Sequence, residues 1–255
     1  MPIDVRFFPC LTDNYGFLVR DIETGTVAAI DTPDAAEIDR ALEREGWRLD
    51  LILNTHHHWD HTGGNLALKE KWGCRIIGPA QEADRIPGID EKASALQTVN
   101  IGATIAKVIE TPGHTLGHIV FHLQQDAVAF VGDTLFALGC GRLFEGSPDE
   151  MWGSLSKLAM LPDDTVIYFA HEYTEANARF ALSLNEQNAA LRQRTNEIFE
   201  RRQQGLPTVP STIGEEKKTN PFMRANAETI KAALEMENSS DAEALAEIRQ
   251  RKDSF

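Results

Sequence analysis

Long apolar runs are missing from this chain of 255 residues. Nothing in it approaches the roughly 20 consecutive apolar residues that a bilayer-spanning helix needs, so no membrane association is expected. The opening MPIDVRFFPC also lacks the basic start and apolar segment of a signal peptide, and no export is expected. Cysteine is scarce: Cys10, Cys74 and Cys140 are an odd number without close metal-type spacing. They fit reduced thiols packed as small core residues in a cytoplasmic protein. Positive charge is short as well, with 25 Lys and Arg against 39 Asp and Glu, a formal net charge of -14. That sign opposes a nucleic-acid or anionic-membrane binder, which needs a broad basic surface to displace counterions. A small anionic substrate stays open, provided that a local basic pocket receives it. Repeats and low-complexity runs are absent too, and 42% apolar with 25% charged residues describes an ordinary globular chain able to bury a sizeable core.

What the chain has in excess is metal ligands in one place. The stretch NTHHHWDHTGGN, residues 54–65, puts His56, His58, Asp60 and His61 within six positions. It follows the apolar run Leu49 to Leu53, short enough for a buried strand, and precedes an amphipathic run that begins after Gly64. Near-extended backbone sends residues i and i+2 to the same side, so His56 and His58 can grip one metal while His57 points away. A turn after Trp59 can aim Asp60 and His61 at a second ion beside the first.

Ahead of this stretch, Val5 to Phe8, Gly16 to Val19 and Val27 to Ile30 read as strands. Asp31 ends the third, either as a turn carboxylate or as the partner that holds a ligating histidine in its tautomer. Asp34 can cap a helix with Ile38, Ala41 and Leu42 on its buried face, ending at Gly46. Beyond the motif, a helix over Leu66 to Trp72 is stopped by Gly73, and Arg75 to Ile77 returns as a strand. Pro79 to Ala95 is irregular and shows no clear chemistry. Val99 to Ile101, Ile105 to Ile109, Ile119 to Leu123 and Val128 to Val131 read as further strands. Potential ligands follow three strands: His114 in TPGH, Asp133 in VGD, and His171 after Val166 to Phe169. In layered α/β proteins loops leaving one sheet edge converge on a site. His118 can support His114 from behind, and His122 reads as structural.

Ser147 to Glu150 is a capping box with Pro148 at the first helical position. From Thr174 the pattern turns helical, over roughly Glu175 to Leu184, Ala189 to Gln204, Ala227 to Glu237 and Ala242 to Lys252. The connection LPTVPSTIGEEKKTNPF is too long for a tight helix link and is a candidate for wrapping back onto the first domain. The expected domains are therefore 1–173, carrying the metal ligands, and 174–255, helical.

Seven ligands suffice for two metals: His56, His58 and His114 on one, Asp60, His61 and His171 on the other, with Asp133 bridging. The spacing HxHxDH followed by His, Asp and His at successive strand ends resembles the metallo-β-lactamase superfamily. TDNY, THHHWDHTGGN, TPGHTLGH, FVGDTLF, GCGR, HEYT, NPFMR and the closing RQRKD together resemble the glyoxalase II (hydroxyacylglutathione hydrolase) family over nearly the whole chain. The resemblance implies an α/β fold, an αββα sandwich with a C-terminal α-helical domain. It implies a cytoplasmic hydrolase of methylglyoxal detoxification that splits S-D-lactoylglutathione, or another S-(2-hydroxyacyl)glutathione, into glutathione and the acid. It implies two divalent ions, zinc first with iron or manganese as alternatives, a bridging hydroxide as nucleophile, and Asp133, Asp60 and His61 as catalytic residues. Arg142, Tyr173, Arg249 and Lys252 take positions of the family's glutathione contacts, while Phe144 departs from the tyrosine that many relatives carry. Arg249 and Lys252, three apart on one helix, could also bind a carboxylate jointly on spacing alone. A monomer with a small-molecule glutathione thioester as its partner is expected. Two other readings remain: a single-iron dioxygenase of glutathione persulfide, and a metal-holding scaffold without activity.

Overall fold

The short apolar runs fold into strands, and the computed structural model describes residues 3–95, 97–184 and 187–255. The chain forms two units, one running to Glu110 and resuming over Gly117–Gly132, the other made of Thr111–Leu116 and Asp133–Phe255.

The first unit opens with β1 (Ile3–Cys10), β2 (Asn14–Asp21) and β3 (Val27–Ile30), each antiparallel to the next. β4 (Leu51–Leu53), β5 (Arg75–Pro79) and β6 (Glu91–Ala93) then add in parallel, so six strands lie in chain order. Parallel neighbours need crossovers. α1 (Ala35–Glu45) supplies the one between β3 and β4. The single turn α2 (Trp59–Thr62) and α3 (Asn65–Trp72) supply the one between β4 and β5. Asp34 caps α1 by accepting from the N–H groups of Ala36 and Glu37, and Gly46 ends it at φ 66°. Ile38 and Leu42 of α1 are fully buried and pack with Leu18, Ile52 and Leu68. Each such side chain stabilises the contact by roughly 1.5–3 kcal/mol, so a charge at Ile38 would detach the helix. β7 (Thr98–Ile101), β8 (Thr104–Glu110), β9 (Ile119–Leu123) and β10 (Val128–Gly132) follow as antiparallel neighbours in a second sheet. Phe17 of β2 and Phe130 of β10 meet with ring centroids 5.7 Å apart, so the two sheets share a core within this unit. The stretch from Pro79 to Ala95, irregular by sequence, contains a 3₁₀ segment over Ala80–Arg85 as well as β6.

The second unit contains the hairpin β11 (Leu135–Phe136) and β12 (Gly139–Cys140), α4 (Pro148–Ala159), β13 (Val166–Phe169), α5 (Thr174–Ser183) and α6 (Ala189–Gln203). β14 (Ser211–Thr212), α7 (Ile213–Thr219), α8 (Glu228–Leu234) and α9 (Asp241–Ser254) complete it. The capping box at Ser147 and Glu150 is formed, and Ser240 with Glu243 makes a second one ahead of α9. The long Pro- and Thr-rich connection does turn back: Ser211 and Thr212 pair with Ile167 and Val166 of β13 before the chain enters α7. Glu216 of α7 is fully buried. Its carboxylate accepts from Arg194, from Ser211, from the Leu138 N–H at 2.9 Å and from Asn220 Nδ2 at 3.0 Å. Asn220 Nδ2 lies 3.0 Å from the carbonyls of both Phe136 and Gly139, so this network holds the β11–β12 hairpin. α8 stops at Leu234, short of the expected Glu237, because Glu235 turns left-handed at φ 61° and the Met236 N–H returns to the Lys231 carbonyl. Cys10, Cys74 and Cys140 are free thiols and buried. Among the described residues no helix is long and apolar enough to cross a membrane.

Candidate metal centre

In the first unit β4 delivers the chain into the loop that carries His56, His58, Asp60 and His61. The loop is fixed from its backbone. The His61 carbonyl accepts from Thr32 N–H at 2.8 Å and from Asn54 Nδ2 at 2.9 Å, and Asn65 Nδ2 reaches Asn54 Oδ1 at 2.8 Å. Asp31, left-handed at φ 56° after β3, accepts from Thr55 N–H and Thr55 Oγ1 and from His61 Nδ1, each at 2.8 Å. Of its two sequence readings, the structure shows the supporting one. A carboxylate on Nδ1 leaves Nε2 as the nitrogen through which His61 could coordinate a metal, and that atom lies 3.6 Å from Asp60 Oδ2. Asn14 Nδ2, from the TDNY motif, steadies Asp60 by donating to its backbone carbonyl and to Oδ2 at 3.2 Å.

His56 and His58 face each other as the i, i+2 spacing requires, with Nε2 and Nδ1 3.0 Å apart. Thr55 Oγ1 sits 3.0 Å from His56 Nδ1. His57 turns the other way, onto Glu82. The ring of His118, read from the sequence as a support for His114, stacks on that of His56, centroids 4.9 Å apart.

In the second unit Asp133, one residue past β10, stands between two histidines. Its Oδ2 is 3.4 Å from His114 Nε2 and its Oδ1 is 3.4 Å from His171 Nε2, all three side chains being buried. The Arg142 carbonyl takes His114 Nδ1 at 2.9 Å. Gly141 makes this packing possible, since a Cβ there would lie 2.0 Å from the Asp133 carbonyl oxygen and 3.0 Å from His114 Nδ1. The Tyr173 ring is parallel to that of His171 at 4.8 Å, and Phe144 meets His114 edge-on at 5.2 Å.

The donor set suits a divalent ion. With metal–nitrogen bonds of about 2.0–2.1 Å, two ligands of one ion sit on the order of 3 Å apart, the spacing of His56 and His58. Imidazoles and carboxylates together accept zinc, iron or manganese, and the second nitrogens of His61 and His114 are each taken by a carboxylate or a carbonyl, as ligating histidines require.

Arg142 and Arg249 lie around a cavity of about 430 Å³ that Phe144 and Asp253, among others, also line. Arg142 and Phe144 are exposed. Arg249 is buried: Nη1 donates to the Cys140 carbonyl at 3.0 Å, Nε and Nη2 reach Asp253 Oδ1 at 3.1 and 2.9 Å, and the guanidinium lies over Phe222. Lys252 diverges from it. Its ammonium donates to the Ala176 carbonyl at 3.1 Å beside the rings of Phe180 and Phe255. Burial, reinforced by Arg249 and Arg142, lowers the Lys252 pKa to about 8. Two residues given no role from sequence emerge here, Glu82 and Asp253. The second was detectable, because Asp253 follows Arg249 by four residues, the pairing distance on a helix.

A family model described as "Metallo-beta-lactamase superfamily" matches residues 17–171, and one described as "Hydroxyacylglutathione hydrolase C-terminus" matches residues 172–255. The chain is 53% identical over 251 residues to a hydroxyacylglutathione hydrolase of Maricaulis maris, covering 98% of each. It is 53% identical over 253 residues to one of Rhizobium meliloti, covering 99% of each. The crystal structure of ETHE1 from Myxococcus xanthus superposes with a TM-score of 0.67 at 23% identity over 100% of both chains, which bears on the fold alone. The fold is thus that of the metallo-β-lactamases, extended by a C-terminal helical domain. With likeness of this degree running from end to end, the chain belongs to the hydroxyacylglutathione hydrolase family of the metallo-β-lactamase superfamily.

Proposed function

We propose that this protein hydrolyses S-(2-hydroxyacyl)glutathione thioesters, chiefly S-D-lactoylglutathione, to glutathione and D-lactate, the second step of methylglyoxal detoxification. The observation that carries the reading is that likeness to hydroxyacylglutathione hydrolases extends through the C-terminal part, residues 172–255, where a lactamase-type likeness alone would stop. The two family models meet between residues 171 and 172, which supports residues 1–173 as the catalytic part and 174–255 as the substrate-binding part.

The seven residues are proposed to hold two divalent ions, His56, His58 and His114 one, Asp60, His61 and His171 the other, with Asp133 shared. Support comes from the two carboxylate oxygens of Asp133, each at 3.4 Å from a different histidine. Zinc is the first choice for this donor set. When bound, such ions lower the pKa of water and polarise a carbonyl. The chain's own part is to fix the ligands through Asp31, Thr55 and the Arg142 carbonyl, and to present cationic groups to the substrate. Arg142, Arg249 and Lys252 are the proposed contacts for the glutathione carboxylates, with Tyr173 and Phe144 flanking the reacting end. Phe144 offers a ring face and no hydroxyl. The leaving thiolate, with a thiol pKa near about 8.5, departs without a strong acid. Free buried thiols support a cytoplasmic setting, and strong net negative charge supports a monomer.

The test is hydrolysis of S-D-lactoylglutathione beside a simple thioester of equal intrinsic reactivity, with metal analysis of the same preparation. Preference for the glutathione thioester, loss of activity on chelation and recovery with zinc are expected. Oxygen uptake with glutathione persulfide would favour a dioxygenase instead, and metal binding without hydrolysis would leave only a scaffold.

A further inference from the structure

We propose that Glu82 is a positioning residue for the metal-ligand loop, clamping the His57 peptide to the Gly117 peptide. Glu82 lies in the 3₁₀ segment after β5 and is 3% exposed. A carboxylate this deeply buried is costly unless it is fully engaged, and it is: Oε2 accepts from the His57 N–H at 2.8 Å and from His57 Nδ1 at 2.7 Å, while Oε1 accepts from the Gly117 N–H at 2.9 Å.

The two anchor points are not equivalent to a surface ion pair. His57 stands between His56 and His58, so fixing its N–H and its ring fixes the peptide planes on which the alternation of those two side chains depends. Gly117 precedes His118, whose ring stacks on His56 at 4.9 Å and 28°. Each oxygen of Glu82 therefore holds the neighbour of one member of that stacked pair. Gly117 is shaped for the contact, because a Cβ there would fall 2.5 Å from Glu82 Cγ. The histidine that leaves the ligand set is thus the handle by which the set is aimed. This inference rests on His56 and His58 being metal ligands.

Glu82→Gln, Gly117→Ala and the double variant are to be compared with the wild type in thermal midpoint, in zinc affinity by competition with a chromophoric chelator, and in kcat and KM for S-D-lactoylglutathione. Gln at 82 turns an amide NH2 toward one of the N–H donors, and Ala at 117 pushes the carboxylate aside without removing it. Both single variants are expected to bind zinc roughly 10–100-fold more weakly, with kcat lowered and KM held within about twofold. The double variant should be no worse than Glu82→Gln, since both changes break one clamp. A lowered thermal midpoint with wild-type zinc affinity and wild-type kcat would make Glu82 a fold residue and overturn the proposal. If Glu82→Gln does not fold, Gly117→Ala carries the same comparison. Zinc affinity is read without the thioester, so a wild type that binds zinc yet fails to hydrolyse it defeats the functional reading while Glu82 is still tested.

Discussion

Asp31 Oδ2 lies 2.8 Å from Nδ1 of His61, and both side chains are buried. The carboxylate orients the imidazole and raises its basicity, two things that a metal ligand needs. Asn tolerates the left-handed backbone found at this position, so Asp31→Asn should fold while losing the charge. Metal affinity is expected to fall about 10–100-fold, measured by chelator competition. Unchanged affinity would assign Asp31 to the turn alone.

Asp133→Ala removes a group that faces two histidines at once. Turnover and metal content should collapse together, with kcat lower by at least about a hundredfold, followed by steady-state kinetics and elemental analysis of the same sample. A variant that kept both metals and lost only rate would separate catalysis from holding.

Lys252→Ala is expected to raise KM for S-D-lactoylglutathione with kcat largely intact, the signature of lost uniform binding. Arg249→Ala should raise KM too, but it also strips a donor from the Cys140 carbonyl inside the fold. A loss of about 1–3 kcal/mol in stability is therefore expected for Arg249→Ala and not for Lys252→Ala, and urea unfolding distinguishes the two.

The same lysine predicts a pH dependence. Lys252 is cationic below its pKa of about 8 and neutral above it. KM for the anionic substrate should therefore rise as pH passes through about 8, and substrate binding near that pH should take up protons, visible as buffer-dependent heats in calorimetry. Lys252→Arg stays charged throughout, so it should abolish the rise near pH 8; an unmoved profile would place the titration elsewhere.

Glu216→Ala would leave Arg194 buried without its carboxylate and Leu138 N–H without its acceptor. A loss of about 3–5 kcal/mol is expected, read as a lowered thermal midpoint at unchanged ligand residues.

Much of this was legible in the chain itself. Asp34, Gly46, Gly73 and Ser147 mark helix ends through local chemistry, and the apolar runs mark strands through period. The divergence of His57 from His56 and His58 follows from alternation. What escaped notice depends on distant parts meeting. Glu82 sits in a stretch without periodicity, and its meaning lies in a Gly117 peptide 35 residues away. The β11–β12 hairpin has strands of two residues, too short for any pattern, and is held by Asn220, more than 80 residues later. α8 ends on Glu235, where no glycine announces the left-handed turn.

Asp253 sits between Arg249 and Arg142, 2.9 and 3.7 Å from their guanidinium nitrogens. The cavity thus carries its own carboxylate, and on the proposed function a glutathione carboxylate entering it would have to displace Asp253. Binding there would then be an exchange of counter-ions, limiting how tightly an anionic ligand is retained, and Asp253 would reclaim its guanidinium as the thiol product leaves.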